Sequence, residues 1–262
     1  VYKLSFWSAA AFGIGMGVLV LAKNSRSGIN RTWALMSFTM ACWAFLCVSY
    51  FFDTDGDRAL LMARCSLYAS VWIPVFFSHF SLQLINRRLC DSWPTILGYG
   101  FAIVMGTLFL TEWFVPAVPP KLQFRHFVEP GPLFLAFTVE FFALALYAHG
   151  MLLHNLHKQP PARQTQIRYV LLATIIAFST GSTCFLLAFN VPIRPDASLV
   201  VPIYPLIITY AIVRHQLMDI RIAIRRGLIY SILVGLITAV YLVAVLLAER
   251  LLQGIVGYRS IV

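Results

Sequence analysis

The chain has 262 residues, of which 60% are apolar and only 11% charged, with a mean hydropathy of +0.81. Soluble domains run at roughly 25% charged, so an ordinary soluble domain is excluded. The formal charge of +10 sits in short runs between long apolar stretches, a pattern for basic loops at a membrane surface and not for nucleic-acid binding.

Eight apolar windows follow in chain order: Leu4 to Ala22, Thr32 to Phe52, Ala59 to Ile85, Trp93 to Phe114, Pro132 to Leu153, Tyr169 to Phe189, Ala197 to Val213 and Leu228 to Ala248. Backbone groups in hydrocarbon must bond within their own segment, and runs of about 20 residues without alternation exclude a barrel. The expected fold is therefore all-α, a polytopic transmembrane bundle of about eight spans. The first run lacks a basic lead and a small-residue cleavage site, so it reads as a span and not a signal peptide.

Basic residues set the orientation. Alternate connections carry twelve of them in one set (Lys23, Arg26, Arg31; Arg87, Arg88; Lys158, Arg163, Arg168; Arg214, Arg221, Arg225, Arg226) and seven in the other, with Arg64 inside a helix. Positive loops stay cytoplasmic, so the N-terminus is expected outside the inner membrane, together with the acidic turn Asp53, Asp55, Asp57. The tail after Glu249 turns apolar again at Ile261 and Val262, where a ninth span is expected to open. The connection Val115 to Gly131, with four prolines, reads equally as an ordered cap or a loose loop.

Ionisable groups within spans are costly and mark function first. Counting from the helix ends places Arg64 and Glu140 at similar depth in the outer half. They are the candidate ligand-binding residues: a pair there would line a pocket for a polar or anionic ligand. The alternative is an arginine reaching the interface beside a protonated glutamate. His79 and His149 also share a depth, but the spacing does not establish the facing imidazoles that haem ligation needs, and no cofactor or metal is expected. The five cysteines lack metal or redox spacing and read as packing residues. No span contains a deep lysine, which excludes a retinal Schiff base, and no nucleophile or metal motif of an intramembrane enzyme is present. Pro74, Pro202 and Pro205 are hinge candidates within the third and seventh spans. Gly13, Gly15 and Gly17, which include one G-x-x-x-G, allow close helix approach, the hydroxyls of residues 179–183 serve packing or a ligand, and Trp33, Trp93 and Trp113 fit an interfacial belt.

The most specific stretch runs from Tyr210 through Arg214, His215, Leu217, Asp219-Ile220-Arg221 and Ile224-Arg225-Arg226 to Leu228 and Tyr230. It is a span end, a basic amphipathic link and a new span. Here the chain resembles the seven-transmembrane N-terminal sensor region of bacterial histidine kinases, over roughly Leu4 to Arg226. The resemblance implies a sensory input region, residues 1–227, whose link residues Arg214, His215, Asp219, Arg221, Arg225 and Arg226 relay a stimulus to a cytoplasmic output domain in the same polypeptide. It further implies a dimeric whole protein. Residues 228–262 would then hold an eighth span and an outer tail. No cytoplasmic stretch here is long enough for a kinase domain, so the segment itself is not expected to be an enzyme. A small transporter or channel is the competing class, which would need a solute pathway through the bundle.

Overall fold

The computed structural model describes residues 1–215, with Val234, Tyr241 and Val245 beyond them. The eighth predicted span, the link residues Asp219, Arg221, Arg225 and Arg226, the predicted second unit and the expected ninth span lie outside the described residues, these three positions apart.

Among the described residues the fold is helical throughout, apart from one isolated bridge between Lys121 and Phe124. The helices are α1 (Tyr2–Asn24), α2 (Gly28–Phe51), α3 (Gly56–Leu84), α4 (Trp93–Leu108), α5 (Pro132–Asn155), α6 (Pro161–Gly181), α7 (Thr183–Ala188) and α8 (Ile203–His215). Five segments, with α6 and α7 taken together, are long and apolar enough to cross a membrane. Two shorter apolar segments, Trp93–Leu108 and Asp196–Ile212, complete the order of the first seven predicted windows.

Local chemistry fixes the helix starts. The Asp55 carboxylate accepts from the backbone N–H groups of Asp57 and Arg58 at 3.0 and 3.2 Å, so α3 starts three residues before its apolar window. Prolines at the first helical position open α5 and α6, where the missing N–H costs nothing. α6 consequently begins at Pro161, eight residues ahead of the predicted Tyr169, because the good helix formers Ala162, Arg163 and Gln166 extend it into a polar turn.

Three expectations at helix ends are corrected. α4 stops at Leu108 instead of Phe114; its 16 residues span about 24 Å, and the chain continues in turns. The sixth window divides at Ser182, where residues 179–183 are weak helix formers whose hydroxyls compete for the backbone. Thr180 Oγ1 donates to the Ile176 carbonyl and Thr183 Oγ1 to the Thr180 carbonyl, both at 2.7 Å. The seventh window divides too, into a 3₁₀ turn over Asp196–Val200 and then α8. Pro202 stands just before α8 and Pro205 in its first turn, where neither removes an intrahelical bond, so these two prolines mark a junction and not a mid-helix kink. Pro74 does lie inside α3, and it has no N–H to give to the Ser70 carbonyl one turn earlier.

α2 packs between α1 and α3, α3 against α4 and α5, and α8 against α6 and α1. A Cβ added to Gly13 would stand 2.9 Å from the Ser37 carbonyl, and one on Gly17 2.5 Å from the Phe38 ring, so these two glycines set the α1–α2 approach, while Gly15 faces open space. Trp93 and Trp113 are exposed as the belt requires, whereas Trp33 is fully buried against Phe80 and Tyr204. Its height near a span end is right; the face of α2 it occupies is the inner one.

The two ends of the bundle differ. One gathers the N-terminus, the α2–α3 turn, residues 109–131 and the start of α8: the Tyr2 hydroxyl donates to Asp196, Gln123 Nε2 donates to Tyr2 at 3.2 Å, and Arg125 N–H to the Phe51 carbonyl at 3.0 Å. The other gathers the basic connections, where the Gln83 amide lies against Gly28.

Candidate functional site

Residues 109–131 settle the question of cap against loose loop. Phe114, Val115, Phe124 and Phe127 are all buried, with Phe51 and Phe127 stacked at 5.4 Å between centroids. The segment is an apolar plug over the hairpin end, pinned by two cations. Arg64, at the α3 face, donates through Nε and Nη2 to the Val115 carbonyl at 3.0 and 2.8 Å and through Nη1 to the Leu110 carbonyl at 2.6 Å. Lys121 Nζ donates to the carbonyls of Val128 and Ala188 at 2.9 Å and of Leu187 at 3.4 Å. The last two are end carbonyls of α7, of which Leu187 also accepts from the Asn190 N–H at 3.1 Å. Burial lowers the Lys121 ammonium from its usual range, with Glu129 opposing that shift.

Arg64 and Glu140 do not meet. The Glu140 carboxyl lies beside Gly98 of α4, whose added Cβ would be 3.5 Å from Glu140 Oε1 and 3.4 Å from Val75 of α3. Val75 follows Arg64 by eleven residues on α3, a rise of about 16 Å. Counting from helix ends had put the two groups level; that counting assumes common starting planes, and α3 begins further out than its apolar window. Both Glu140 carboxyl oxygens are shielded from solvent and have no hydrogen-bond partner among the described residues. Arg58 and Asp53 form an ion pair on the surface turn, away from both groups.

His79 and His149 are likewise spent on protein partners. Gln83 Nε2 donates to His79 Nε2 at 2.9 Å, and the other ring nitrogen bonds the Tyr99 hydroxyl at 2.8 Å. His149 Nδ1 donates to the Ala145 carbonyl at 2.8 Å, with Nε2 at 3.0 Å from the Thr174 hydroxyl. Ser78, Thr95, Ser92 and Tyr147 form a hydroxyl chain joining α3, α4 and α5 at 2.7 to 2.9 Å.

Sequence reasoning missed a cavity between the helices, with an enclosed volume of about 80 Å³ that opens into a wider cleft. Its wall takes Met40 and Cys47 from α2, Ser70 from α3, Phe141 from α5, Phe178 from α6 and Ser182 from the α6–α7 break, with Phe127 of the cap above. No charged side chain lines it among the described residues. An apolar cavity with a few polar groups is the usual form of a small-molecule site. The hydroxyl run at residues 179–183 was the available signal, since it marks where α6 breaks and opens space.

The described residues thus form seven apolar helical segments in sequence order, five of them long. A family model described as the N-terminal 7TM region of histidine kinase matches residues 5–221. The chain belongs to this family. In histidine kinases this 7TM region is a sensor segment and not the catalytic part, and the chain is a multi-pass membrane module. Comparison with curated proteins and with solved structures returned no match. The match carries the 7TM region past the end of α8 and through Arg214, His215, Asp219 and Arg221 of the expected relay link.

Proposed function

We propose that this 7TM region receives a stimulus within the membrane and relays it to a cytoplasmic kinase domain of the same polypeptide through the link that follows α8. The observation that supports the reading is the family match over residues 5–221, which takes in Arg214, His215, Asp219 and Arg221. Geometry supports it: α8 packs on α6 and α1, and Val201, two residues before it, lines the cavity. A change in cavity shape therefore acts directly on the helix that leads to Arg214 and His215. Occupancy drives output only if a ligand binds the two arrangements of the bundle unequally.

In this reading the basic end, with Arg87 and Arg88, faces the cytoplasm of the inner membrane, the capped end faces outside, and two copies pair in the whole protein. Arg221, Arg225 and Arg226 hold the link to anionic lipid. Pro74 is the flexible point of α3, and Glu140, the unpartnered carboxyl beside Gly98, is the polar group whose state a stimulus alters. Arg64 serves the site by pinning the cap.

The test uses the full-length protein in inverted membrane vesicles. Autophosphorylation is compared between wild type and a variant carrying R221Q, R225Q and R226Q. The relay role requires the rate to change several-fold with insertion intact; an unchanged rate in that variant and in Pro74→Ala overturns it. A tag at Arg87 reachable from outside intact cells overturns the orientation.

A further inference from the structure

We propose that the cavity between α2, α3, α5 and α6 binds a neutral, lipid-soluble ligand with an apolar body and a single hydrogen-bonding group, which engages Ser182. The proposal deepens the sensory reading and rests on it for its meaning, while the binding is measured independently.

Three observations carry it. The wall is apolar and aromatic, with Phe141, Phe178 and Phe127 on three sides and no charged side chain, so an ion entering it would lose its hydration without compensation. Ser182 Oγ is buried and has no hydrogen-bond partner among the described residues, although it lines the cavity. Buried hydroxyls are almost always satisfied, and an orphaned one on a residue that borders open space is a ready partner for a ligand's polar group. Ser182 is also where α6 gives way to α7, so its hydroxyl sits at a break in the helix and not within a continuous turn. Opposite, Ser70 lines the same space, and its carbonyl lacks the helical donor that Pro74 cannot provide. The site thus offers a hydroxyl and polar backbone in an otherwise oily chamber. This is the chemistry for a fatty alcohol, a long-chain ketone or an uncharged prenyl compound, and it disfavours a carboxylate or an amine cation.

The ceiling gives the ligand its effect. Phe127 and Val128 belong to the cap, and Val128 and Ala188 each accept a hydrogen bond from Lys121 at 2.9 Å while lining the cavity. Filling the chamber presses on this clasp from below and on Val201, two residues before α8, from the side.

The probe is a diazirine-bearing octanol, photolysed with the protein in phospholipid vesicles, and the labelled residues are mapped by mass spectrometry. Labelling at Tyr50, Phe141 and Cys184 is expected to saturate and to be displaced by excess octanol but not by octanoate at neutral pH. Ser182→Ala leaves the space open, and the octanol needed for half-displacement is expected to rise ~5-fold, the ratio for one hydrogen bond. Ala177→Phe fills the chamber and should abolish the saturable label; where that variant fails to insert, the wild-type and Ser182→Ala measurements decide. Label spread over the lipid-facing residues Trp7, Leu97 and Leu146 with no saturable part overturns the site. Equal displacement by octanoate overturns the neutral class, and an unchanged value in Ser182→Ala overturns the anchor. Each of these failures leaves the phosphorylation test of the sensory role untouched.

Discussion

Arg64 and Val115 form a two-pronged contact in which Nε and Nη2 of one guanidinium converge on one carbonyl oxygen, at 3.0 and 2.8 Å. A residue that sequence alone places as a ligand-binding charge is thereby occupied in holding the end of α4 and the cap to α3. Arg64→Ala removes three donated bonds, and ~2 kcal/mol of stability should be lost, the scale for hydrogen bonds made by a charged group. Thermal unfolding in lipid nanodiscs reads this, and protease cleavage within residues 115–131 should rise with it.

Arg64 and Glu140 are separated along α3 by about 16 Å and share no partner. The effects of Arg64→Ala and Glu140→Gln on stability should therefore add to within ~0.5 kcal/mol in a double-mutant cycle. A larger coupling would show that the two groups meet.

Gly131 enters α5 against the backbone of the preceding turn: an added Cβ would lie 2.4 Å from the Trp113 carbonyl oxygen and 2.7 Å from that of Glu112. Neither atom belongs to a side chain that can swing away, so Gly131→Ala should cost ~1 to 3 kcal/mol by overpacking. Gly150, with open space around it, should tolerate alanine at no cost, and both are read by the same unfolding measurement.

Asp53 is held well below the usual carboxylate range, first by its hydrogen bonds from Arg58 and then by the Asp55 backbone N–H. A carboxyl whose folded value is depressed binds fewer protons folded than unfolded just below the ordinary aspartate value of ~3.9. The contribution of this turn is present above that value and fades as the pH falls through the depressed one. Asp53→Asn should flatten the acid limb of an unfolding-against-pH curve by lowering stability slightly at neutral pH, with the acid end unchanged.

Pro74→Ala returns an N–H to the Ser70 carbonyl and should stiffen α3. The bundle is expected to be slightly more stable, with a smaller spread between the high and low rates of autophosphorylation in the full-length protein.

The sequence exposed the spans because continuous apolarity is a property of the chain itself, and seven windows reappear in order. It marked Gly13, Gly15 and Gly17 as a packing face, of which Gly13 and Gly17 meet α2 while Gly15 faces open space. Depth and facing were not legible: Trp33 is at the right height on the wrong side of α2, and Arg64 and Glu140 are level only when measured from helix ends that do not share a plane. In a membrane bundle both faces of a helix are apolar, so the amphipathic signal that would reveal the buried face is weak. The cavity was hidden for a further reason. An empty space has no residues of its own, and only the run of hydroxyls around Ser182 pointed to the helix break beside it.

α4 is the short member of the bundle, at about 24 Å against a hydrocarbon thickness of roughly 30 Å. Lipid alongside it must thin, or the helix must stay upright with Trp93 and Trp113 drawn toward the acyl chains. A bilayer of longer chains squeezes this flank hardest, and through Gly98 that compression bears on the unpartnered carboxyl of Glu140.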